Sequence, residues 1–317
     1  MDVGRLVRVS RVRGAQALEL RGGVSPEAQS ATHTGPLTAF AALALIWGYN
    51  WVVMKIALVD SGPIDFAVLR TGLGVLLLFA LLVGLRMPLK PRHLGMTALV
   101  GLCQTTGFVG CISVALALGE TGKSAVLSYT MPFWVIVLGW PFLGERLRGA
   151  QWPAVALALI GLVLVLEIWD GSSGLAASLL ALAAGALWGV SVIIVKRIPI
   201  DGHAELLSLT AWQMLYGFVP LAALALLVPE RPIEWTPSFI VALTYNAIGG
   251  MAAATLLWLY ILQRLPATIS GLSSLIVPVI GILAAWLQLG ERPGVAESIG
   301  IVLILIGIGL LLLSGAT

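Results

Sequence analysis

The chain has 317 residues, of which 59% are apolar and only 10% charged, with a formal net charge of +3. A soluble domain carries about 25% charged residues, so this composition excludes a water-soluble globular protein. It points to a chain that uses lipid as its solvent.

Residues 1–36 stand apart. They are polar and hold Arg5, Arg8, Arg11, Arg13 and Arg21. No apolar core follows them directly, so they are not a secretory signal. They read as a disordered basic cytoplasmic tail, or as upstream sequence read from a misplaced start codon. A lipid-binding arm is the alternative.

From Leu37 onward apolar runs alternate with short charged connections. About 20 helical residues cross the hydrocarbon core. The runs predict ten spans: 37–57, 64–85, 94–117, 122–142, 151–168, 175–196, 204–228, 237–262, 267–289 and 295–314. They lack the alternation of a membrane barrel. The connections leave no room for a soluble domain, so function lies inside the bundle or at its two mouths.

Between spans three and four, GETGKS (119–124) nearly spells a phosphate-binding loop. Such a loop needs a strand before it and a helix after it. Here an apolar helix precedes it and no strand ending in aspartate follows. Gly119 and Gly122 suit a tight turn between helices, with Thr121 as a cap, and no nucleotide is expected. Cys103 and Cys111 sit in one predicted helix, about 12 Å apart by helical rise and too far for a disulfide. His33, His93 and His203 fall in the tail or in loops. No metal, cofactor or nucleic acid is expected.

Lysine and arginine set the orientation. With the N-terminus inside, the tail and the inner loops hold Arg86, Lys90, Arg92, Arg146, Arg148, Lys196, Arg197 and Arg264 beside the five tail arginines. The outer side holds Lys55, Lys123, Arg231 and Arg292. Both termini are therefore expected to be cytoplasmic.

The chain also repeats itself. WGYNWVVMK (Trp47–Lys55) matches WGVSVIIVK (Trp188–Lys196) at an offset of 141 residues. SYTMPFWVIVLGWPFLGER (Ser128–Arg146) matches SLIVPVIGILAAWLQLGER (Ser274–Arg292) at 146, and Gly161 matches Gly307. The offset changes between these blocks, which leaves open how spans two and three align with seven and eight. Five spans per half force the halves into opposite orientations, an arrangement suited to alternating access. A duplication kept for stability alone is the other reading.

These motifs resemble the EamA-type transporters of the drug/metabolite transporter superfamily, from about Leu37 to Ser314. The resemblance implies ten helices in two five-helix repeats, each closing its fourth helix with a proline and then a Gly-Glu-Arg-like motif. It also implies export of small polar or amphipathic metabolites, such as amino acids, across the bacterial inner membrane. The expected fold is thus an all-α integral membrane protein with ten transmembrane helices. After the 1–36 tail, 37–168 and 175–314 form two inverted five-helix repeats around a central cavity.

Depth along each span nominates the site. Trp47 lies near the midplane, as do Pro132 and Pro278, and Trp188 lies slightly deeper. Tryptophan normally prefers the interface, and a proline frees a carbonyl that needs a polar partner. Matched interruptions in both halves point to a substrate site; close packing through small residues is the alternative. Trp47, Asn50, Trp51 and Met54 share one face of span one, answered by Trp188 and Ser191 in span six. Gln104 with Thr105 and Thr106, Tyr129, Gln213, Asn246, Trp258 and Ser274 add polar or aromatic groups at similar depth. A buried amide is costly in lipid, so these residues turn inward. Arg70 lies about 9 Å inside the outer end of span two by helical rise. It is read as an outer-mouth charge that holds a carboxylate, or as a partner of Asp65 or a backbone carbonyl. Glu145 and Glu291 read as solvated helix ends or as ties on a moving loop. Spans five and ten are apolar throughout and read as outer scaffold or as a homodimer face.

Every acidic residue lies in the tail, in loops or near span ends. Coupled carriers commonly use an ionisable group at depth, so transport is expected to follow the substrate gradient. Aromatic walls suit aromatic or hydrophobic amino acids and related amphipathic solutes. A channel or non-transporting scaffold is the alternative. An intramembrane enzyme would need a catalytic constellation that the spans lack.

Overall fold

In lipid each backbone amide and carbonyl must be bonded within the protein, and a helix does this within one segment. The computed structural model describes residues 26–118, 127–149, 151–166, 175–289 and 294–314, and the described residues hold no strand. GETGKS and the second Gly-Glu-Arg lie outside them. Among the described residues seven helices are long and apolar enough to cross a membrane: Gly35–Asp60, Pro63–Gly84, Leu94–Ala115, Ala176–Lys196, Gly202–Leu227, Pro237–Arg264 and Ala267–Gln288. Met131–Leu143, Gln151–Leu164 and Ser298–Leu310 are shorter apolar helices. The chain is a multi-pass membrane protein.

We number the rods α1 (Pro26–Asp60), α2 (Pro63–Gly84), α3 (94–118), α4 (Met131–Leu143), α5 (Gln151–Leu166), α6 (Leu175–Lys196), α7 (Gly202–Leu227), α8 (Pro237–Arg264), α9 (267–289) and α10 (Val295–Ser314). Four of them are irregular, in matched pairs. α3 widens into a π-helix over Gly101–Phe108 and α8 into one over Asn246–Ala253, each 8 residues long. α9 is broken at Ser274 and Leu275, and a turn at Tyr129 and Thr130 precedes α4. The prolines fit these breaks. Pro132 occupies the first turn of α4, where its missing N–H costs little. Pro278 withdraws an amide from the Ser274 carbonyl, and Val277 N donates to that oxygen instead, at 3.0 Å. The freed carbonyl is satisfied by a tight local turn and does not need a wet cavity.

Contacts between rods also recur in pairs. A Cβ on Gly48 of α1 would meet the Ile280 side chain of α9. The matching Gly189 of α6 would meet Trp134 of α4, Cβ to Cβ at 2.7 Å. Gly161 of α5 lies against the Gly300 carbonyl of α10, and Gly307 of α10 against the Ala154 carbonyl of α5, with a Cβ there at 2.6 and 2.8 Å. In each case a missing side chain lets two backbones approach, the usual source of helix affinity in lipid. The face of α5 and α10 expected to meet a second copy is thus partly used between them; Trp152, Ile160, Ile299 and Val302 remain exposed.

Polar contacts close each end of the bundle. At the α1–α2 turn, Glu230 accepts from Ile64 N and Asp65 N, both at 2.9 Å, and so caps α2. Arg231 donates to the Leu58, Val59 and Ser61 carbonyls at 2.6, 2.7 and 3.0 Å. At the opposite end, Glu145 accepts from Ala267 N and Thr268 N at 2.9 Å each. Lys196 donates to the Leu262 and Leu265 carbonyls at 2.7 and 2.8 Å. Glu145 therefore caps α9, where sequence reading left a choice between a solvated end and a tie.

Candidate functional site

Three indoles meet in the middle of the bundle. Trp47 from α1 stands edge-on to Trp188 from α6, with ring centroids 5.4 Å apart. Trp258 from α8 closes the triangle at 5.9 Å from Trp47 and 5.7 Å from Trp188. Such edge and tilted pairs add to simple burial. Trp47 Nε1 donates to the Gly250 carbonyl at 3.0 Å, within the π-helical stretch of α8. Phe108 from α3 packs on Trp188 at 4.9 Å. Trp51 Nε1 donates to Tyr129 Oη at 3.0 Å, which ties α1 to the turn before α4.

Beside the indoles lies a cavity of about 90 Å³ with a polar wall. Trp47, Asn50, Trp51, Gln104, Tyr129, Trp188 and Gln213, all nominated by sequence, line it. Arg70, read from the sequence as an outer-mouth charge, lines it too. It is buried, and its Nη1 donates to Asn246 Oδ1 at 3.2 Å and Met54 Sδ at 3.3 Å. The pair with Asp65 or a carbonyl is not formed. Asn246 holds the arginine from behind the wall, while its own Nδ2 donates to the Ala242 carbonyl at 3.1 Å.

The structure places the other nominated residues outside the lining. Trp258 is fully buried behind Trp47 and Trp188. Ser191 Oγ donates to the Trp188 carbonyl at 2.7 Å, and Ser274 Oγ to the Gly271 carbonyl at 2.6 Å. Both hydroxyls are spent on their own helix. Pro132 packs against Gly271, where a Cβ would lie 3.4 Å from its Cα. Pro278 sits past the break in α9. Phe108, Val109, Ile112, Met251 and Thr255 also line the cavity and were not nominated. In an apolar helix an apolar lining residue gives no contrast. Phe108 had one indirect signal, lying one turn beyond Gln104 and Thr105 on α3.

Several wall groups have no protein partner. Thr105 Oγ1 and Gln213 Oε1 are bonded at 3.2 Å. Gln213 Nε2 is left without an acceptor, as are Arg70 Nε and Trp188 Nε1. Asn50 Oδ1 and Gln104 Oε1 lack donors. A buried polar group without a partner costs about 1–3 kcal/mol. Five of them around one cavity form a surface that a polar solute or water would satisfy.

An all-helical membrane protein with a polar chamber between helices from both halves of its chain belongs structurally with proteins that handle small solutes. Its sequence specifies the group: the chain belongs to the EamA-like transporter family, whose model matches residues 34–167 and again 175–313. It is 28% identical over 273 residues to the uncharacterized transporter YoaV of Bacillus subtilis, covering 84% of this chain and 93% of that one. It is 27% identical over 280 residues to a probable amino-acid metabolite efflux pump of Escherichia coli, covering 84% and 91%. The fold matches a crystal structure with a TM-score of 0.72 at 21% identity, over 89% of this chain and 97% of the other.

Proposed function

We propose that the chain is a secondary transporter that exports small amphipathic metabolites by alternating access, with aromatic or hydrophobic amino acids and their relatives as the candidate class. One observation carries the reading: a buried chamber walled by residues of both halves, aromatic on one side and rich in unpartnered polar groups on the other. The similarity to a probable amino-acid metabolite efflux pump supports the solute class.

The proposal includes ten crossings in two inverted halves, 37–168 and 175–314, in a bacterial inner membrane with both termini cytoplasmic. The matched π-helical stretches and glycine contacts support the pairing of the halves. The lysine and arginine bias supports the orientation. A cavity of about 90 Å³ is small beside the several hundred Å³ that usually hold a ligand. The solute therefore enters when one end opens. Opening the α8–α9 end breaks the Glu145 and Lys196 contacts, and opening the α1–α2 end breaks those of Glu230 and Arg231. Among the described lining residues there is no carboxylate or histidine, which supports the gradient of the solute itself as the driving force.

Counterflow into proteoliposomes tests this. With no pH or sodium gradient, a labelled solute should enter saturably against the unlabelled one held inside. The screen spans amino acids, nucleosides, sugars and organic cations. Flux that never saturates and ignores the internal solute would instead make the chain a channel, and complete dependence on an imposed ion gradient would remove the uncoupled mechanism.

A further inference from the structure

We propose that the chamber selects a net anion: the exported solute carries a carboxylate that docks on Arg70, at the expense of a zwitterion or cation of the same shape. This rests on the transporter reading and narrows its solute class from the amino acids themselves to their carboxylate relatives that lack the ammonium. The argument begins with an imbalance of charge. Arg70 is 5% exposed and is the one charged side chain among the lining residues described. A guanidinium stays protonated in proteins. Its partners are neutral, Asn246 and Met54, with the Phe66 ring 5.6 Å below. Among the described residues no carboxylate pairs with it, and its Nε has no acceptor. A desolvated charge without a counter-ion is costly to keep. A solute carboxylate removes that cost for as long as it is bound.

The surrounding donors fit the same group. Gln213 spends its oxygen on Thr105 and has its Nε2 free, and Trp188 Nε1 is free as well. With Arg70 they bring donors from α2, α6 and α7 to one chamber. Carboxylates favour such sets, bidentate on arginine above all. An ammonium finds no carboxylate in this wall. It finds two neutral acceptors, Asn50 Oδ1 and Gln104 Oε1, and a cation–π attraction from Trp47 and Trp51, all opposed by the charge of Arg70. Phe108 and Ile112, with the indoles, suit an aromatic or branched body.

The charge also explains the driving force. Each anion exported carries one negative charge outward, which a negative-inside membrane potential favours. About 100 mV supports a gradient of about 50-fold for a monovalent ion. An anion exporter thus needs neither a proton nor a sodium site.

Three probes with one ring and one chain separate the cases: 3-phenylpropionate, phenylalanine and phenethylamine. Their binding to the purified full chain is measured by calorimetry. Their flux is followed in proteoliposomes whose potential is set with potassium and valinomycin. One charge-assisted contact predicts that 3-phenylpropionate binds the wild type at least about tenfold more tightly than phenethylamine, which lacks the carboxylate, and the ammonium held beside Arg70 sets phenylalanine below 3-phenylpropionate. Arg70→Gln should cut that advantage to about twofold and Arg70→Lys should keep part of it. Flux of 3-phenylpropionate should rise as the potential on its side is made more negative. Tighter binding of phenylalanine or phenethylamine by the wild type overturns the inference, as does the absence of 3-phenylpropionate binding up to about 10 mM. These wild-type comparisons need no variant to fold. Saturable phenylalanine counterflow without anion preference sinks the inference and leaves the transporter reading intact. Preferred anion binding without counterflow of any probe keeps the anion site on Arg70 and removes export of that anion.

Discussion

In the first half of the chain Asn50, Arg70, Gln104 and Tyr129 face the chamber. At the repeat offsets of 141 and 146 the second half carries Ser191 for Asn50 and Leu275 for Tyr129, neither of which lines it, and Gly250 for Gln104, which lines it without a polar side chain. Helix contacts behave in the opposite way. Gly48 against Ile280 is answered by Gly189 against Trp134, and Gly161 by Gly307. The two π-helical stretches have the same length. Repeated glycines therefore govern how the halves assemble, and side chains that differ between the halves give the chamber its polar chemistry. Trp47 and Trp188 keep the same residue type and a place in the wall in both halves.

The largest effects should come from breaking the duplicated contacts. Gly48→Leu drives a side chain into Ile280, and Gly189→Leu drives one into Trp134. Overpacking of this kind costs about 1–3 kcal/mol or more. Both variants should lose yield and thermal stability in detergent, and to a similar extent. If one is tolerated and the other is not, the packing symmetry carries less of the stability than the structure implies.

A smaller effect sharpens the comparison at the tryptophan pair. Trp47 Nε1 is bonded to the Gly250 carbonyl, whereas Trp188 Nε1 has no partner. Trp47→Phe therefore strands a buried acceptor and Trp188→Phe strands nothing. A buried acceptor left alone costs about 1–3 kcal/mol. Thermal denaturation should find Trp47→Phe the less stable of the two by about 1 kcal/mol. Equal losses would mean that the wide turn of α8 satisfies its own carbonyl once the indole is gone.

The sequence made much of this visible, for physical reasons that differ by residue. Trp47, Asn50 and Trp51 stand out because helical spacing puts three unusual side chains on one face of an apolar rod. Trp188 stands out through the repeat. Arg70 is visible as a charge within a span, but depth along one helix says nothing about which neighbours hold its head group. Asn246 in α8 does that, and the changing offset left the register of that helix open. The widening of α3 and α8 has only a faint signature, glycines within each stretch. Phe108 and Ile112 resemble every other apolar residue that faces lipid. Pro132, Pro278, Ser191 and Ser274 were nominated because they carry or free polar groups. Their loss from the wall follows from local bonding, which spacing cannot report.

The smallest effects belong to those serines and test the division from the other side. Ser191 and Ser274 are fully buried, as lining hydroxyls of a chamber would be. Each donates to a carbonyl three residues earlier in its own helix. Removing such a hydroxyl leaves a helix carbonyl that has other means of satisfaction, and a methyl group fits the space. Ser191→Ala and Ser274→Ala should therefore stay within about 0.5 kcal/mol of the parent in stability. Counterflow should keep its rate and its half-saturation. Asn50→Ala, in the same helical register as Ser191 but within the wall, should raise half-saturation several-fold, because its unpartnered oxygen faces the chamber. A serine variant that shifted half-saturation as far as Asn50→Ala would mean that the hydroxyl leaves its carbonyl and turns to the solute when the chamber opens. The second half would then supply polar contacts that this conformation conceals.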